Sequence, residues 1–153
     1  MTLTEIQREL NKGVRKGLSL KQQVRLYTNR KPIGSGISRE VFIFEPEPRY
    51  VLKVEWKPTE FWANIQEWNN WLWLKDSCYE KWLCPCYFIS ETGAVLIQRR
   101  AQSVVKSELP RKIPPFFLDK KVENWGRIGN KIVCLDYPHL CPDYGKMKRV
   151  YWK

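Results

Sequence analysis

The fold prediction depends on the stretch Asp119-Lys120-Lys121-Val122-Glu123-Asn124. It places Asp119, Lys121 and Asn124 at the spacing at which phosphoryl-transfer sites hold a base, a cationic clamp and a metal ligand. An Asp can accept a hydroxyl proton, the Lys can neutralise the moving phosphoryl group, and the Asn can hold magnesium. Asp136 follows one short strand later, and a carboxylate oxygen is a ligand that magnesium prefers. We therefore predict Asp119 and Lys121 as catalytic residues and Asn124 and Asp136 as metal ligands.

Three upstream features complete this pattern in chain order: a glycine-rich turn, a lysine in a β-rich segment and a glutamate in a helical segment. Glycines allow backbone N–H groups to approach a triphosphate closely, and a strand lysine can clamp its phosphates. A helical glutamate can hold that lysine, so we expect an ion pair in a cleft floored by the sheet. The predicted nucleotide-binding residues are Gly34, Ser35, Gly36, Lys53 and Glu67.

Each upstream motif also has a purely structural explanation. The glycines could form a simple tight turn, Lys53 could be a solvated lysine at a sheet edge, and Glu67 could be exposed on its helix. Glu60 is an alternative partner for Lys53. Arg39 stands where a third glycine would be expected and predicts a bulkier, charged lip over the phosphates. The shared chain order of the motifs favours one common site.

Composition limits the classes of protein. The chain has 153 residues, of which 43% are hydrophobic, so we expect one folded domain, with at most a small appendage. An odd number of cysteines, five, leaves one unpaired in any full disulfide scheme, which fits a reducing cytosol. No stretch of about 18 uncharged apolar residues occurs. We therefore predict a soluble cytoplasmic protein with no membrane partner.

Periodicity predicts an α+β fold. Thr2 with Glu5 forms a capping box that opens a helix ending at Gly13, and Ser19 opens a second helix through Tyr27. Four β-rich segments predict an antiparallel sheet. They centre on Val41, Leu52, Phe88 and Leu96.

One long amphipathic helix is expected to pack on this sheet. Pro58 with Thr59 starts it, and it runs to Leu74. Its predicted buried stripe consists of apolar residues at helical spacing. These residues are Phe61, Ile65, Trp68 and Leu72. Downstream, we predict a turn over residues 126–130 and a short strand over residues 131–135.

The motifs together resemble the protein-kinase-like superfamily, and more closely the very short kinase-like proteins of bacteriophages. In those proteins a D-x-x-x-x-N-[FW]-G segment precedes a strand that ends in D-Y. Asn124-Trp125-Gly126 and Cys134-Leu135-Asp136-Tyr137 carry the resemblance, which covers residues 33–137. Three residues depart from the family pattern. Phe117-Leu118 stands in place of His-Arg, and Pro138 stands in place of a glycine.

The resemblance implies a minimal protein-kinase-like fold with one packed helix and a truncated second lobe. It implies ATP and Mg²⁺ as cofactors, and host cytoplasm as the location if the gene belongs to a phage. The domain boundaries that follow are a helical extension over 1–30, a kinase-like domain over 31–138 and a basic tail over 139–153. The tail holds the dense basic cluster from Lys146 to Lys153, which we interpret as solvated.

Three function hypotheses remain open. The first is a minimal ATP- and Mg²⁺-dependent phosphotransferase that acts on a protein. The second is a kinase-like binding module of the pseudokinase type that blocks or regulates a host protein through exposed side chains such as Trp71 or Lys148. The third is a basic nucleic-acid binder, which depends on the net charge of +11 and the eight tryptophans.

Overall fold

The structure, a computed structural model, describes residues 2–153 apart from the side chain of Val14, and its fold is α+β. The chain divides into two compact units. Unit 1 comprises Met1–Ile65 and Cys86–Arg100, and unit 2 comprises Gln66–Pro85 and Ala101–Lys153. The boundaries predicted near residues 30 and 138 are not the boundaries of these units. In the described residues, no helix has both the length and the apolar character that crossing a membrane requires.

Unit 1 begins with two helices, α1 (Leu3–Arg15) and α2 (Leu20–Tyr27). The predicted capping box of α1 is confirmed, since the Glu5 amide donates to Thr2 Oγ1 at 3.2 Å. Ser19 opens α2 as predicted, in a second capping box that Gln22 closes. The prediction that Gly13 ends α1 is wrong. The helix continues to Arg15 and is followed by Gly17 at φ +66°, the left-handed conformation that glycine adopts at helix ends.

An antiparallel sheet of five strands forms the centre of unit 1. The strands are β1 (Gly34–Ser35), β2 (Glu40–Ile43), β3 (Tyr50–Val54), β4 (Cys86–Ile89) and β5 (Val95–Arg99). Their order in the sheet is β1-β2-β3-β5-β4. All four predicted β segments lie in this sheet, so the antiparallel sheet is confirmed.

One face of the sheet is apolar and packs against α1 and α2. Side chains of both helices join those of the strands in a single buried cluster, so the N-terminal helices are part of the core of unit 1 and not an appendage. The helices contribute Ile6, Leu10, Val24 and Tyr27, and the sheet contributes Phe42, Phe44, Tyr50, Leu52, Val54, Phe88, Val95 and Ile97.

The predicted long helix is divided in two, α3 (Pro58–Phe61) and α4 (Ala63–Leu74). Trp62 separates them, with φ at 56° in the left-handed region. The Glu55 carboxylate accepts hydrogen bonds from the Ala63 and Asn64 amides at 3.0 and 2.8 Å. A new N-terminus at Ala63 exposes amides that need acceptors, and Glu55 supplies them.

The predicted apolar stripe is not the buried face of this region. Phe61 and Leu72 are exposed, whereas α4 buries Asn64, Glu67 and Trp71, together with Leu74. Periodicity of apolar residues could not reveal this face because two of its members are polar.

Unit 2 contains β6 (Gln102–Ser103), β7 (Lys112–Ile113), β8 (Trp125–Ile128), β9 (Lys131–Cys134) and β10 (Lys148–Arg149). Three strands form a sheet in the order β6-β8-β9, and β7 pairs with β10. Three short 3-10 helices span Glu80–Trp82, Lys106–Glu108 and Val122–Asn124. The turn predicted over residues 126–130 is shorter, because residues 126–128 belong to β8.

Gly126 lies where β8 passes close to β6. A Cβ there would lie 2.8 Å from the Ala101 Cβ and 3.0 Å from the Gln102 carbonyl oxygen, so only glycine permits this approach.

The C-terminal segment packs into unit 2, while the basic side chains of its cluster from Lys146 to Lys153 are exposed, as interpreted from the sequence. Val150 and Trp152 are buried. The Val150 amide donates to the Arg111 carbonyl at 3.0 Å, and Trp152 Nε1 donates to the Pro110 carbonyl at 2.9 Å. The basic side chains of this segment alternate with these buried residues.

Candidate functional site

The predicted glycine turn is exposed at one edge of the sheet of unit 1. Gly34 and Ser35 form β1, and the Gly36 amide donates to the Arg39 carbonyl at 2.8 Å, which closes a tight turn. A Cβ at Gly36 would meet no atom within 4 Å, and its φ lies outside the left-handed region. The fold therefore does not require glycine at this position, and the bare backbone is accessible to a ligand.

Arg39 does not form the predicted lip over this turn. Its side chain is only 7% exposed, and its Nη1 donates to Asn64 Oδ1 at 3.2 Å. The guanidinium turns inward because the Asn64 amide oxygen offers it a buried acceptor.

Lys53 lies on the second face of the sheet, which carries buried polar groups. It occupies β3, the central strand, between Val41 of β2 and Leu96 of β5, and it is 4% exposed. The explanation of Lys53 as a solvated lysine at a sheet edge is therefore wrong. Glu55 and Gln98, at 0% and 1% exposure, share this face.

Asn64 connects the elements around Lys53. Its Nδ2 donates to the Lys53 carbonyl at 3.2 Å and to the Gly93 carbonyl at 2.9 Å, while its Oδ1 accepts from Arg39. Its own amide is held by Glu55. This side chain thus links the first turn of α4 to β3, to the β4–β5 turn and to the residue that closes the glycine turn.

Glu67 is fully buried in unit 2, so the explanation of an exposed helical glutamate is wrong. Its Oε1 accepts from the Tyr137 amide at 2.8 Å. Asn70, one turn further along α4, donates from Nδ2 to the carbonyls of Tyr137 and Pro138 at 2.8 and 3.0 Å. Two α4 side chains therefore hold the backbone immediately after Asp136.

Lys53 belongs to unit 1 and Glu67 to unit 2. The ion pair between them stays a prediction. The alternative partner, Glu60, is exposed and lies 3.5 Å from the ammonium of Lys57.

Asp119 and Asn124 are in direct contact. Asp119 Oδ1 accepts from the Lys121 amide at 3.0 Å, and its Oδ2 accepts from Asn124 Nδ2 at 2.5 Å. The Asn124 carbonyl accepts from the Leu135 amide at 2.8 Å, which places the loop beside the residue that precedes Asp136. The Lys121 side chain is exposed. Three of the four residues predicted in this region are therefore tied into one local structure.

Asn124 and Asp136 carry oxygen atoms of the kinds that Mg²⁺ prefers as ligands. Because the amide nitrogen of Asn124 is used by Asp119, its amide oxygen is left for a cation, and Asp136 supplies a carboxylate. No group of three or more His, Cys, Asp or Glu side chains that could hold a metal occurs in the part of the chain that the structure describes. Magnesium suits such a sparse set, since it commonly takes one or two protein ligands and completes its shell with phosphates and waters.

Sequence reasoning missed Glu55, Asn64 and Asn70. Glu55 lies eight residues before the start of the helix that it caps. Asn70 binds the carbonyls of Tyr137 and Pro138, which follow it in the chain by 67 and 68 positions. No local spacing rule covers such separations. An open cavity of about 420 Å³ in unit 2, lined by residues such as Cys78, Lys81 and Lys131, contains none of the predicted site residues.

No protein-family model matches the chain, and neither the curated proteins nor the solved structures contain a significant match to it. The resemblance to the protein-kinase-like superfamily therefore stays a prediction that depends on the motifs.

Proposed function

We propose that the protein is a minimal kinase-like phosphotransferase that uses ATP and Mg²⁺ and acts on a protein in the cytoplasm. The observation that carries this proposal is the contact between Asp119 and Asn124, with Asn124 in turn bonded to the residue before Asp136. Glu67 accepts a buried hydrogen bond from the Tyr137 amide, and Asn70 donates a partly buried one to the Tyr137 carbonyl, so both fix the segment that follows. Such preorganisation is what a site for phosphoryl transfer needs.

The nucleotide would be held by the glycine turn and by Lys53. The exposed backbone of Gly34 to Gly36 would let phosphate oxygens approach closely, because the glycines have no side chains, and the Lys53 ammonium would neutralise their charge. The Asn64 bond to the Lys53 carbonyl fixes the strand from which that side chain extends. Glu67 would hold the ammonium in place while its Oε1 binds Tyr137.

Asn124 and Asp136 would hold Mg²⁺, which when bound neutralises charge on the transferred phosphoryl group. The acceptor hydroxyl oxygen forms a bond to the γ-phosphorus, the bond to the bridging oxygen of ADP breaks, and the hydroxyl proton passes to Asp119. Two hydrogen bonds orient the Asp119 carboxylate for this role. Lys121 would neutralise the phosphoryl group as it moves.

Radiolabel transfer from ATP tests the proposal. Asp136→Asn should abolish both metal-dependent nucleotide binding and transfer, because the phosphates need this ligand in the ground state and in the transition state. Asp119→Asn should bind nucleotide almost normally and transfer about 10² to 10⁴-fold more slowly. Asp76→Asn, an exposed aspartate of unit 2, is the matched control and should behave as wild type. Full activity in Asp136→Asn would defeat the proposal.

A second candidate, a binding module that regulates a host protein, is favoured by one observation. Trp73 is 65% exposed, and its ring lies 5.4 Å from that of Tyr144, which is also exposed. Exposed aromatic pairs are typical of protein interfaces. Trp71, the side chain predicted to serve this role, is buried, so that prediction is wrong.

The two candidates respond differently to the same variants. If the protein acts by binding alone, Trp73→Ala should remove its effect on cells that express it, and Asp136→Asn should leave that effect intact. If it acts by phosphoryl transfer, Asp136→Asn should remove the effect.

A further inference from the structure

Two like charges face each other in the small sheet of unit 2. Arg149 of β10 is the direct partner of Lys112 of β7, and both side chains are exposed. Within residues 2–153, neither of them forms an ion pair. Like charges directly opposite one another destabilise a strand pair, so this arrangement has a cost that an anionic ligand would offset.

An exposed aromatic ring lies next to this pair. From Arg149 to Lys153 exposed and buried residues alternate: Val150 and Trp152 are buried, and the other three are exposed. Tyr151 is 76% exposed, and the guanidinium carbon of Arg149 lies 5.8 Å from its ring centroid. Arg149 and Tyr151 therefore lie on the same exposed side of this C-terminal segment.

The same face continues toward the Asp119 loop. The Lys153 amide donates to the Lys120 carbonyl at 3.1 Å, and the Val122 amide donates to the Lys153 carbonyl at 3.3 Å. The side chains of Lys120 and Lys153 are both exposed. We call this set of exposed residues on hydrogen-bonded neighbouring segments, Lys112, Lys120, Arg149, Tyr151 and Lys153, the basic ridge.

We propose that the basic ridge binds single-stranded nucleic acid. A single strand offers both features that the ridge matches, namely repeated negative charge for its cations and unpaired flat bases that can stack on Tyr151. An acidic protein segment would match the charge but would leave the exposed ring without a role. No ridge residue belongs to the proposed nucleotide or metal site, so the inference does not depend on phosphoryl transfer.

Salt dependence tests the electrostatic part. The probe is a fluorescent oligothymidylate of about 12 nucleotides, whose binding is followed by anisotropy from about 50 mM salt upward. Each phosphate contact contributes about −0.7 to the slope of log K against log salt. The double variant Lys112→Gln, Arg149→Gln should therefore reduce the magnitude of the slope by about 1.4. The matched control Lys16→Gln, Lys21→Gln removes two exposed charges from unit 1 and should leave the slope unchanged.

Substitution of Tyr151 tests the stacking part. Tyr151→Leu should weaken binding about tenfold, whereas Tyr151→Phe, which keeps a ring, should bind as wild type. Because this side chain is exposed, both variants should melt near the wild-type temperature.

Three results would overturn the proposal. The first is no binding of the probe at about 50 mM salt. The second is an equal loss of slope in the control double variant. The third is a combination of two results: polyglutamate competes as strongly as unlabelled oligonucleotide, and Tyr151→Leu binds the probe with wild-type affinity. That combination would identify an acidic protein surface as the partner.

Discussion

The two faces of the five-stranded sheet bury different kinds of side chain. One face presents Leu52 and its apolar neighbours to α1 and α2. The other, which we call the polar face, buries Lys53, Glu55 and Gln98 beside the apolar Val51 and Leu96. Leu52 and Lys53 are adjacent in the chain, yet they belong to opposite environments because successive strand residues point to opposite faces.

The two faces contribute differently to the stability of unit 1. Burial of apolar surface favours folding by about 25 cal/mol per Å², whereas a buried polar group costs free energy unless it is hydrogen-bonded. Glu55 meets that condition by accepting hydrogen bonds from two backbone amides, and Asn64 bonds to Arg39 and to the carbonyls of Lys53 and Gly93. We infer that the apolar face accounts for most of the stability of unit 1.

Leu52→Ala should have the largest effect on stability. Removal of a fully buried leucine from the apolar face should lower the free energy of unfolding by about 2 to 5 kcal/mol, measured by urea denaturation. Leu72→Ala is the matched control, because Leu72 is 45% exposed and should cost far less. Equal costs for the two variants would mean that the apolar face is not the main source of stability.

Asn64→Ala should have the next largest effect, because it leaves the buried carbonyls of Lys53 and Gly93 without this donor. The expected loss is about 2 to 3 kcal/mol. The exposed Asn69 of the same helix provides the control Asn69→Ala, which should change stability by less than about 0.5 kcal/mol. If the polar face binds nucleotide, only the first variant should also weaken that binding, as titration calorimetry would show.

Glu55→Gln should cost about 1 to 2 kcal/mol, since it replaces a charged acceptor at the start of α4 with a neutral one. Glu60→Gln, at an exposed position of α3, should cost less than about 0.5 kcal/mol. Circular dichroism during thermal denaturation would measure both. A stability of Glu55→Gln equal to wild type would show that the carboxylate charge contributes nothing to the cap.

Tyr27→Phe should have the smallest effect, about 1 kcal/mol, because it removes one hydrogen bond, from the Tyr27 hydroxyl to the Glu9 carbonyl at 3.1 Å. Burial, with a further contribution from the charge of Glu9, raises the pKa of Tyr27. The neutral phenol is therefore favoured in the folded state. This contribution is complete below the unfolded pKa of about 10 and is lost as pH rises through the folded pKa.

Denaturation at a series of alkaline pH values would check this sign. Wild type should lose stability more steeply than Tyr27→Phe above about pH 10. Parallel stability curves for the two proteins would contradict the burial of the Tyr27 side chain in the core of unit 1.

Sequence patterns predicted the parts of this molecule that depend on short-range chemistry. The strands followed from their β-rich composition, and the starts of α1 and α2 followed from the spacing of Thr2 with Glu5 and from Ser19. The sequence placed Asp119 and Asn124 in one site, but the hydrogen bond between them was not predicted. Each of these signals is contained in a few neighbouring residues, so few alternative local structures compete with the predicted one.

Long-range polar contacts could not be predicted in this way. The buried face of α4 was missed because Asn64 and Glu67 interrupt its apolar pattern, and the capping role of Glu55 depends on a helix break at Trp62. The C-terminal strand carried a usable signal, the alternation of Val150 and Trp152 with charged or aromatic residues, but the high density of lysine and arginine masked it.

Thermal unfolding with ATP and Mg²⁺ tests the central claim most directly. At a nucleotide concentration about 100-fold above Kd, ligand binding to the native state should add about 2.7 kcal/mol and raise Tm by several degrees. Lys53→Met should abolish the rise, whereas Lys57→Met, at an exposed position four residues further on, should keep it. The account predicts this pattern for wild type and the two variants, and it would be contradicted by wild-type protein whose Tm does not change with either ATP or GTP.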